Sequence, residues 1–168
     1  MARLRIFTIG YEGVSVDGFL ATLECAGIKR VLDVRELPLS RRRGFSKGAL
    51  SAVLARVGIE YQHERALGAP RDVRHRLRQD QDLARYFASF RQHLRTQHKL
   101  LDDLARSLSG SVALLCYERD PAECHRSVVA ADLAKLVNGG VEHLHVPNDR
   151  EQRPRASRAD SRQSLPAA

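Results

Sequence analysis

The sequence predicts an α/β fold, a three-layer α/β/α domain around a mainly parallel sheet of about five strands. Short β-rich runs alternate with stretches of helical apolar period, and strands alternating with helices imply βαβ crossovers. Ser and Gly punctuate the helical stretches at their starts and ends. Hydrophobic residues make up 43% of the 168, enough to cover a sheet on both faces.

The run "LRIFTIG" (4–10) reads as the first strand. Val16, Phe19, Leu20 and Leu23 then recur at helical spacing between an N-cap at Ser15 and a stop at Gly27. "KRVLDVRE" (29–36) is the second strand, and Leu50, Val53, Leu54 and Val57 mark a helix from Ser46 to Gly58. "IEYQH" (59–63) is the third strand. The basic segment 67–82 has no apolar period and is expected to be a surface loop or short helix. Leu83, Phe87, Phe90 and Leu94 form one helical stripe, and Leu101, Leu104 and Leu108 another, closed by Gly110. "SVALLCYE" (111–118) is the fourth strand. A last helix with Val129, Leu133, Leu136 and Val137 on one face leads to the strand "VEHLHV" (141–146). The domain is expected over 1–146. Residues 147–168, with five arginines and almost no large apolar side chain, are expected to be a disordered basic tail.

The 28 basic and 20 acidic residues give a net charge of +8, which tilts expectation toward anionic partners, either a small molecule or nucleic acid. No apolar run is long enough to span a membrane and no cleavage pattern follows the N-terminus, so no membrane association and a cytoplasmic location are expected. Cys25, Cys116 and Cys124 are odd in number and lie in unlike contexts, which predicts reduced thiols. Cys25, on a helix, is expected in the core. The sequence assigns no cofactor and no oligomeric state.

In a parallel sheet the carboxyl ends of the strands gather along one edge, where sites form. Thr8, Gly10, Tyr11 and Glu12 follow the first strand, Asp33 and Arg35 the second, His63 the third, and Cys116, Tyr117 and Glu118 the fourth. "DPAECHR" (120–126) reads as a helix cap, with Cys124 at the positive end of the helix beside Arg126, an arrangement that lowers a thiol pKa. A reactive thiolate or anion pocket and a plain helix start with a buried Cys124 are both consistent with it. Asp33 and Arg35 lie on one side of their strand, either as a base with an anion-binding arginine or as a buried pair that fixes the sheet end. Glu12 and Glu118 are either acid–base carboxylates or ion-pair partners. A phosphatase loop is disfavoured because one residue separates Cys124 from Arg126. A zinc site of Cys116, Cys124 and a histidine has no fourth ligand at a recognisable spacing, and adjacent Cys124 and His125 are expected to point apart; no metal is expected.

"TIGYEG" (8–13), "DVRELPLSRRRGF" (33–45), "YQHERALGAP" (61–70) and "LLCYERDPAECHRSVVAADL" (114–133) resemble the ordered motifs of the DUF488 family, whose function is uncharacterised. The resemblance spans about 4–146. It points to Thr8, Gly10, Asp33, Arg35, Pro38, Ser40, Arg41, Phe45, Gly68, Cys116, Glu118, Pro121, Cys124, His125 and Arg126. Tyr11-Glu12 replaces a His-Ser pair of many members, and Ala69 a second glycine. A looser similarity to rhodanese-like domains rests on Asp33-Val34-Arg35-Glu36, Cys116 and Arg126-Ser127, but the stretch from Cys116 to Arg126 is longer than their sulfur-cradling turn.

The expected function is an enzyme acting on an anionic, phosphate-bearing substrate. Cys124, Cys116, Asp33, Glu118 and His125 are its catalytic candidates. Arg35, Arg41, Arg126, Thr8, Gly10, Tyr11, Glu12 and Ser40 are its substrate-binding candidates. A non-catalytic nucleic-acid-binding or regulatory module is the alternative, and thiol sulfur transfer a further one.

Overall fold

The computed structural model describes residues 3–147, so the expected tail falls, apart from Pro147, outside the described residues. Five strands, β1 (Arg5–Gly10), β2 (Arg30–Asp33), β3 (Glu60–His63), β4 (Ser111–Cys116) and β5 (Val141–Leu144), form a parallel sheet in the order β3-β2-β4-β1-β5. Among the described residues, no helix is long and apolar enough to cross a membrane.

Two helices, α1 (Val16–Cys25) and α2 (Lys47–Arg56), cover one face. Phe19, Leu23, Leu50 and Leu54 pack there on Phe7, Ile9, Val31, Ala113 and Leu115 of the sheet. Four more cover the other face, α3 (Arg71–Asp80), α4 (Leu83–Arg95), α5 (His98–Ser107) and α6 (His125–Leu136). Their buried residues meet Ile6, Leu32, Val112, Leu114 and Cys116. Alternate residues of each strand thus serve opposite layers, which is the period-two rule applied to a sheet buried on both sides.

Local signals explain most boundaries. Ser15 Oγ accepts from Gly18 N at 3.2 Å to cap α1, and Gly27 and Gly58 take positive φ just beyond α1 and α2. The basic segment after residue 67, expected as a surface loop or short helix, holds the ten-residue helix α3, because Arg, Leu and Gln are good helix formers and Val73 and Leu77 dock on α4. Three expectations are corrected. The face that α4 buries is Tyr86, Phe90 and Leu94, with Leu83 exposed. In α6, Leu136 is exposed and Val128, Ala130 and Ala134 share the packing, because this helix is wedged between the sheet, α4 and α5. Cys25, at the end of α1, is exposed and not in the core.

The register brings the strand ends level: Gly10 pairs with Cys116, and Asp33 with Leu115 and His63. β4 lies between β1 and β2 although it follows β3 in the chain, so the strand order reverses beside it. A crevice at such a reversal is where α/β sheets bind ligands.

Candidate functional site

At the sheet edge the polar residues sort into two clusters, one on each face. The first is built on Asp33, which is fully buried on the α1–α2 side. Its Oδ1 accepts from Arg35 N at 3.1 Å and Arg35 Nε at 2.9 Å; its Oδ2 accepts from the other end of that guanidinium and from the Tyr61 hydroxyl, both at 2.6 Å. Arg35 donates further to the Tyr11 hydroxyl and the Phe45 carbonyl, and its guanidinium lies 5.2 Å from the Tyr11 ring centre. Burial opposes the charge on Arg35, but the Asp33 carboxylate overrides it and raises the pKa. Burial, then the same carboxylate, raises that of Tyr61. This is the buried Asp–Arg pair of the second sequence reading, with one edge of the arginine still facing the cleft.

The second cluster lies on the α4–α6 side. Cys116 closes β4, and Cys124 stands at the N-cap of α6 in extended conformation, just before the helical His125. Both sulfurs and one ring nitrogen of His125 lie within 4.8 Å of one another, all three residues buried. Cys116 Sγ donates to Glu118 Oε2 at 3.2 Å and lies 3.8 Å from His125 Nδ1. The Tyr86 hydroxyl is 3.5 Å from the same nitrogen. His125 Nε2 is 2.8 Å from the Val34 carbonyl, which can only accept, so the proton sits on Nε2 and the neutral ring presents a bare Nδ1 to the thiols. The sequence expectation that Cys124 and His125 point apart is therefore corrected: the break between extended and helical backbone turns both toward Cys116.

A cleft of about 770 Å³ opens over both clusters. Of the expected site residues, Tyr11, Arg35, Ser40, Arg41, Cys116, Glu118 and His125 line it, whereas Thr8, Gly10, Glu12, Asp33, Cys124 and Arg126 do not. Thr8 is buried, with its hydroxyl 2.7 Å from His143 Nδ1. Glu12 accepts from the Arg119 amide at 3.1 Å. Gly10 packs against the Glu118 backbone. Arg126, expected to hold an anion, is 0% exposed; it donates to the carbonyls of Glu118 and Arg119, and its Nε has no partner among the described residues. It clamps the turn that carries Glu118 from below.

The cleft also recruits residues that sequence reasoning did not single out for a site: Arg74, Leu77 and Arg78 from α3, Tyr86 from α4, and Leu37 and Leu39 from the loop after β2. Arg74 pairs with Glu36 and donates to the Ala69 carbonyl, whereas Arg41 and Arg78 stand exposed without an ion pair among the described residues. Ser40 braces the arginine loop, its amide donating to Ser46 Oγ and its hydroxyl accepting from the Arg42 amide.

The model of the family described as "Domain of unknown function DUF488" matches residues 15–133. The chain belongs to the DUF488 family. No curated protein and no solved structure matched it. The matched stretch of this DUF488 chain contains both clusters apart from Tyr11, including Asp33, Arg35, Cys116, Glu118, Cys124 and His125.

Burial and close neighbours set the electrostatics of Cys124, Glu118 and His125 in the DUF488 site. Burial pushes the Cys124 thiol well above its usual value, and the neighbouring Cys116 and Glu118 add to the rise. The lowering expected from the helix end and Arg126 is overturned, because Cys124 is shut from water and Arg126 faces the carbonyls beneath the turn. Burial also disfavours the Glu118 carboxylate, yet hydrogen bonds from Cys124, from its own backbone and from Cys116 hold its pKa below the ordinary value. Burial opposes protonation of His125, but its contacts with Cys124, Val34 and Glu118 raise it.

Two predictions follow from this DUF488 site. Alkylation followed by mass spectrometry should label Cys25 first, Cys116 more slowly through the cleft, and Cys124 only on unfolding; early labelling of Cys124 would contradict the packing. The second concerns pH. A depressed Glu118 stabilises the fold above its ordinary 4.5, and this contribution is lost as pH falls through the folded value. A raised His125 stabilises below its ordinary 6.5, and this is lost as pH rises through the folded value. Urea midpoints should show both contributions present between these values, with Glu118→Gln removing the acid-side fall and His125→Gln the alkaline-side fall.

Proposed function

We propose that this chain is an enzyme that acts on a small anionic substrate in the arginine-lined cleft, with Cys116 as its nucleophile. One observation carries the reading: the thiol at the cleft floor lies 3.8 Å from a bare imidazole nitrogen whose other nitrogen is tied to a backbone carbonyl. The two neighbours of the thiol divide the work. A carboxylate held below its ordinary pKa is a poor base, so Glu118 orients the S–H; an imidazole raised above its ordinary value is the better proton acceptor. As the sulfur attacks, the S–H turns from Glu118 to His125 Nδ1 and gives up its proton there; a sulfur–substrate bond forms as the bond to the leaving group breaks, and His125 returns the proton to that group. Arg35, Arg41 and Arg78 supply the positive charge for the substrate's anion, and Leu37, Leu39, Leu77 and Tyr117 give an apolar wall suited to a base or other flat body.

Titrating the reduced chain with inorganic phosphate or a nucleoside monophosphate should slow the alkylation of Cys116 and leave Cys25 unaffected. Arg41→Ala and Arg78→Ala should each weaken that protection about tenfold, whereas a Cys116 that reacts alike with and without anion would refute the site. Exposed Arg71, Arg76 and Arg78 on one helix favour a second reading, a non-catalytic nucleic-acid-binding module. Oligonucleotide affinity that falls steeply with salt, in a chain whose Cys116 is indifferent to anions, would support it instead.

A further inference from the structure

The cluster under the cleft has a donor set that nucleophilic catalysis leaves partly unused. Catalysis at Cys116 needs one thiol and one base, yet a second thiol, Cys124, is buried within reach of both. We propose that Cys116, Cys124 and His125 form a binding site for a thiophilic metal ion of the Zn²⁺ class, with its fourth position at the Glu118 carboxylate or a water from the cleft.

The geometry is close to what such an ion requires. With zinc–sulfur bonds of about 2.3 Å and zinc–nitrogen bonds of about 2.0 Å, a tetrahedron sets its donors about 3.5 to 3.8 Å apart. Here the Cys116 sulfur and His125 Nδ1 are 3.8 Å apart, and no pair of the three donor atoms exceeds 4.8 Å. The widest edge, no longer than 4.8 Å, must close by no more than about 1 Å. The imidazole is prepared for this role. Its Nε2–H donates to the Val34 carbonyl, the outer hydrogen bond that ligating histidines commonly make, and the edge-on Phe90 ring 5.0 Å away fixes its plane. Glu118 already receives the Cys116 thiol at 3.2 Å, so its oxygen stands beside the expected fourth position. Two sulfurs and an imidazole select a soft or borderline ion over magnesium or calcium, which demand oxygen.

Binding is a balanced exchange. Each thiol releases its proton to solvent as its sulfur takes the ion, and no electron is transferred. An ion on Cys116 occupies the electron pair that would attack substrate, so metal loading and nucleophilic use of this thiol exclude each other. The inference goes beyond the proposed activity and can be tested without it.

Full-length reduced chain, stripped by chelator and dialysed, should take up one Zn²⁺ per chain in titration calorimetry and native mass spectrometry. With Co²⁺ it should show a thiolate-to-cobalt charge-transfer band. Cys116→Ser and Cys124→Ser should each weaken Zn²⁺ at least about 100-fold, since loss of an outer-shell partner alone costs 10–100-fold. Cys25→Ala should bind like the wild type. Should either serine variant fail to fold by circular dichroism, the wild type still decides: Zn²⁺ must shield Cys116 from alkylation and leave Cys25 reactive. Sub-stoichiometric uptake, no cobalt–thiolate band, or undiminished binding by folded Cys124→Ser would overturn the site. Metal binding without protection of Cys116 by anions in the stripped chain would sink the proposed activity alone; the reverse pattern would sink only the metal site.

Discussion

Asp33→Ala should cost the folded chain about 3–5 kcal/mol, the usual penalty for removing one member of a buried ion pair. The carboxylate holds Arg35 through both oxygens and also receives the Tyr61 hydroxyl, and neither Asp33 nor Arg35 has appreciable contact with water. Alanine would leave a guanidinium buried beside Tyr11 and Phe45 with no counter-charge. With a urea dependence of about 1–3 kcal/mol per molar, the midpoint should drop by about 2 M. Asp33→Asn, which keeps the shape and loses the charge, should fall between. A shift below about 1 kcal/mol for the alanine variant would mean that Arg35 escapes to solvent through the cleft, and the pair would then be a surface contact. The same variant should also disturb the cleft, because Arg35 fastens the Phe45 end of the loop that presents Arg41.

How far the sequence foretold this architecture depends on which force set each feature. Strands, and the helices α1 and α2, were legible because apolar period and local caps agree: Ser15 caps as read, and Gly27 and Gly58 stop as read. α3 was legible only as one of two alternatives, loop or short helix, since its stability comes from docking two apolar residues on α4, and a helix that is polar elsewhere carries no stripe. Its register on the cleft, and with it Arg74 and Arg78, was invisible for the same reason. Tyr86 belongs to the i, i+4, i+8 series Tyr86, Phe90 and Leu94, an alternative to the stripe through Leu83 that only the neighbouring layer decides.

Convergence of strand-end residues on one edge was legible from topology alone. Their division into two clusters follows from strand parity, which sets Asp33 with Val31 on one face and Cys116 with Leu114 on the other. The roles of three consecutive residues could not be read from adjacency. Cys124 leaves the extended backbone toward Cys116, His125 begins the helix and turns to the same point, and Arg126 lies about 100° further round the helix, where it meets the Glu118 carbonyl. A change of backbone state at a cap is a local event, but its direction is set by the strand against which the helix packs.

Gly10→Ala should be the most damaging of the small substitutions near the site. A Cβ at this position would overlap the Glu118 carbonyl oxygen and stand 2.8 Å from its carbon and 3.2 Å from Arg119 Cα. The obstacle is backbone, and that backbone is pinned: the Glu118 and Arg119 carbonyls accept from Arg126, and the Tyr117 carbonyl accepts from the amides of Tyr11 and Glu12. The turn can move only by breaking these bonds, so the cost should reach the upper end of the overpacking range, about 3 kcal/mol. Gly58→Ala is the matching control. Its Cβ would meet nothing within 4 Å among the described residues, and the positive φ of 72° is strained, for a cost of about 1 kcal/mol. The two variants should also differ chemically. Gly10→Ala shifts Glu118 from the Cys116 thiol and should change the alkylation rate of Cys116, whereas Gly58→Ala should leave that rate as in the wild type. Equal losses of stability with unchanged Cys116 reactivity in both would show that the turn after β4 yields without moving the site, and Arg126 would then hold no more than its own helix end.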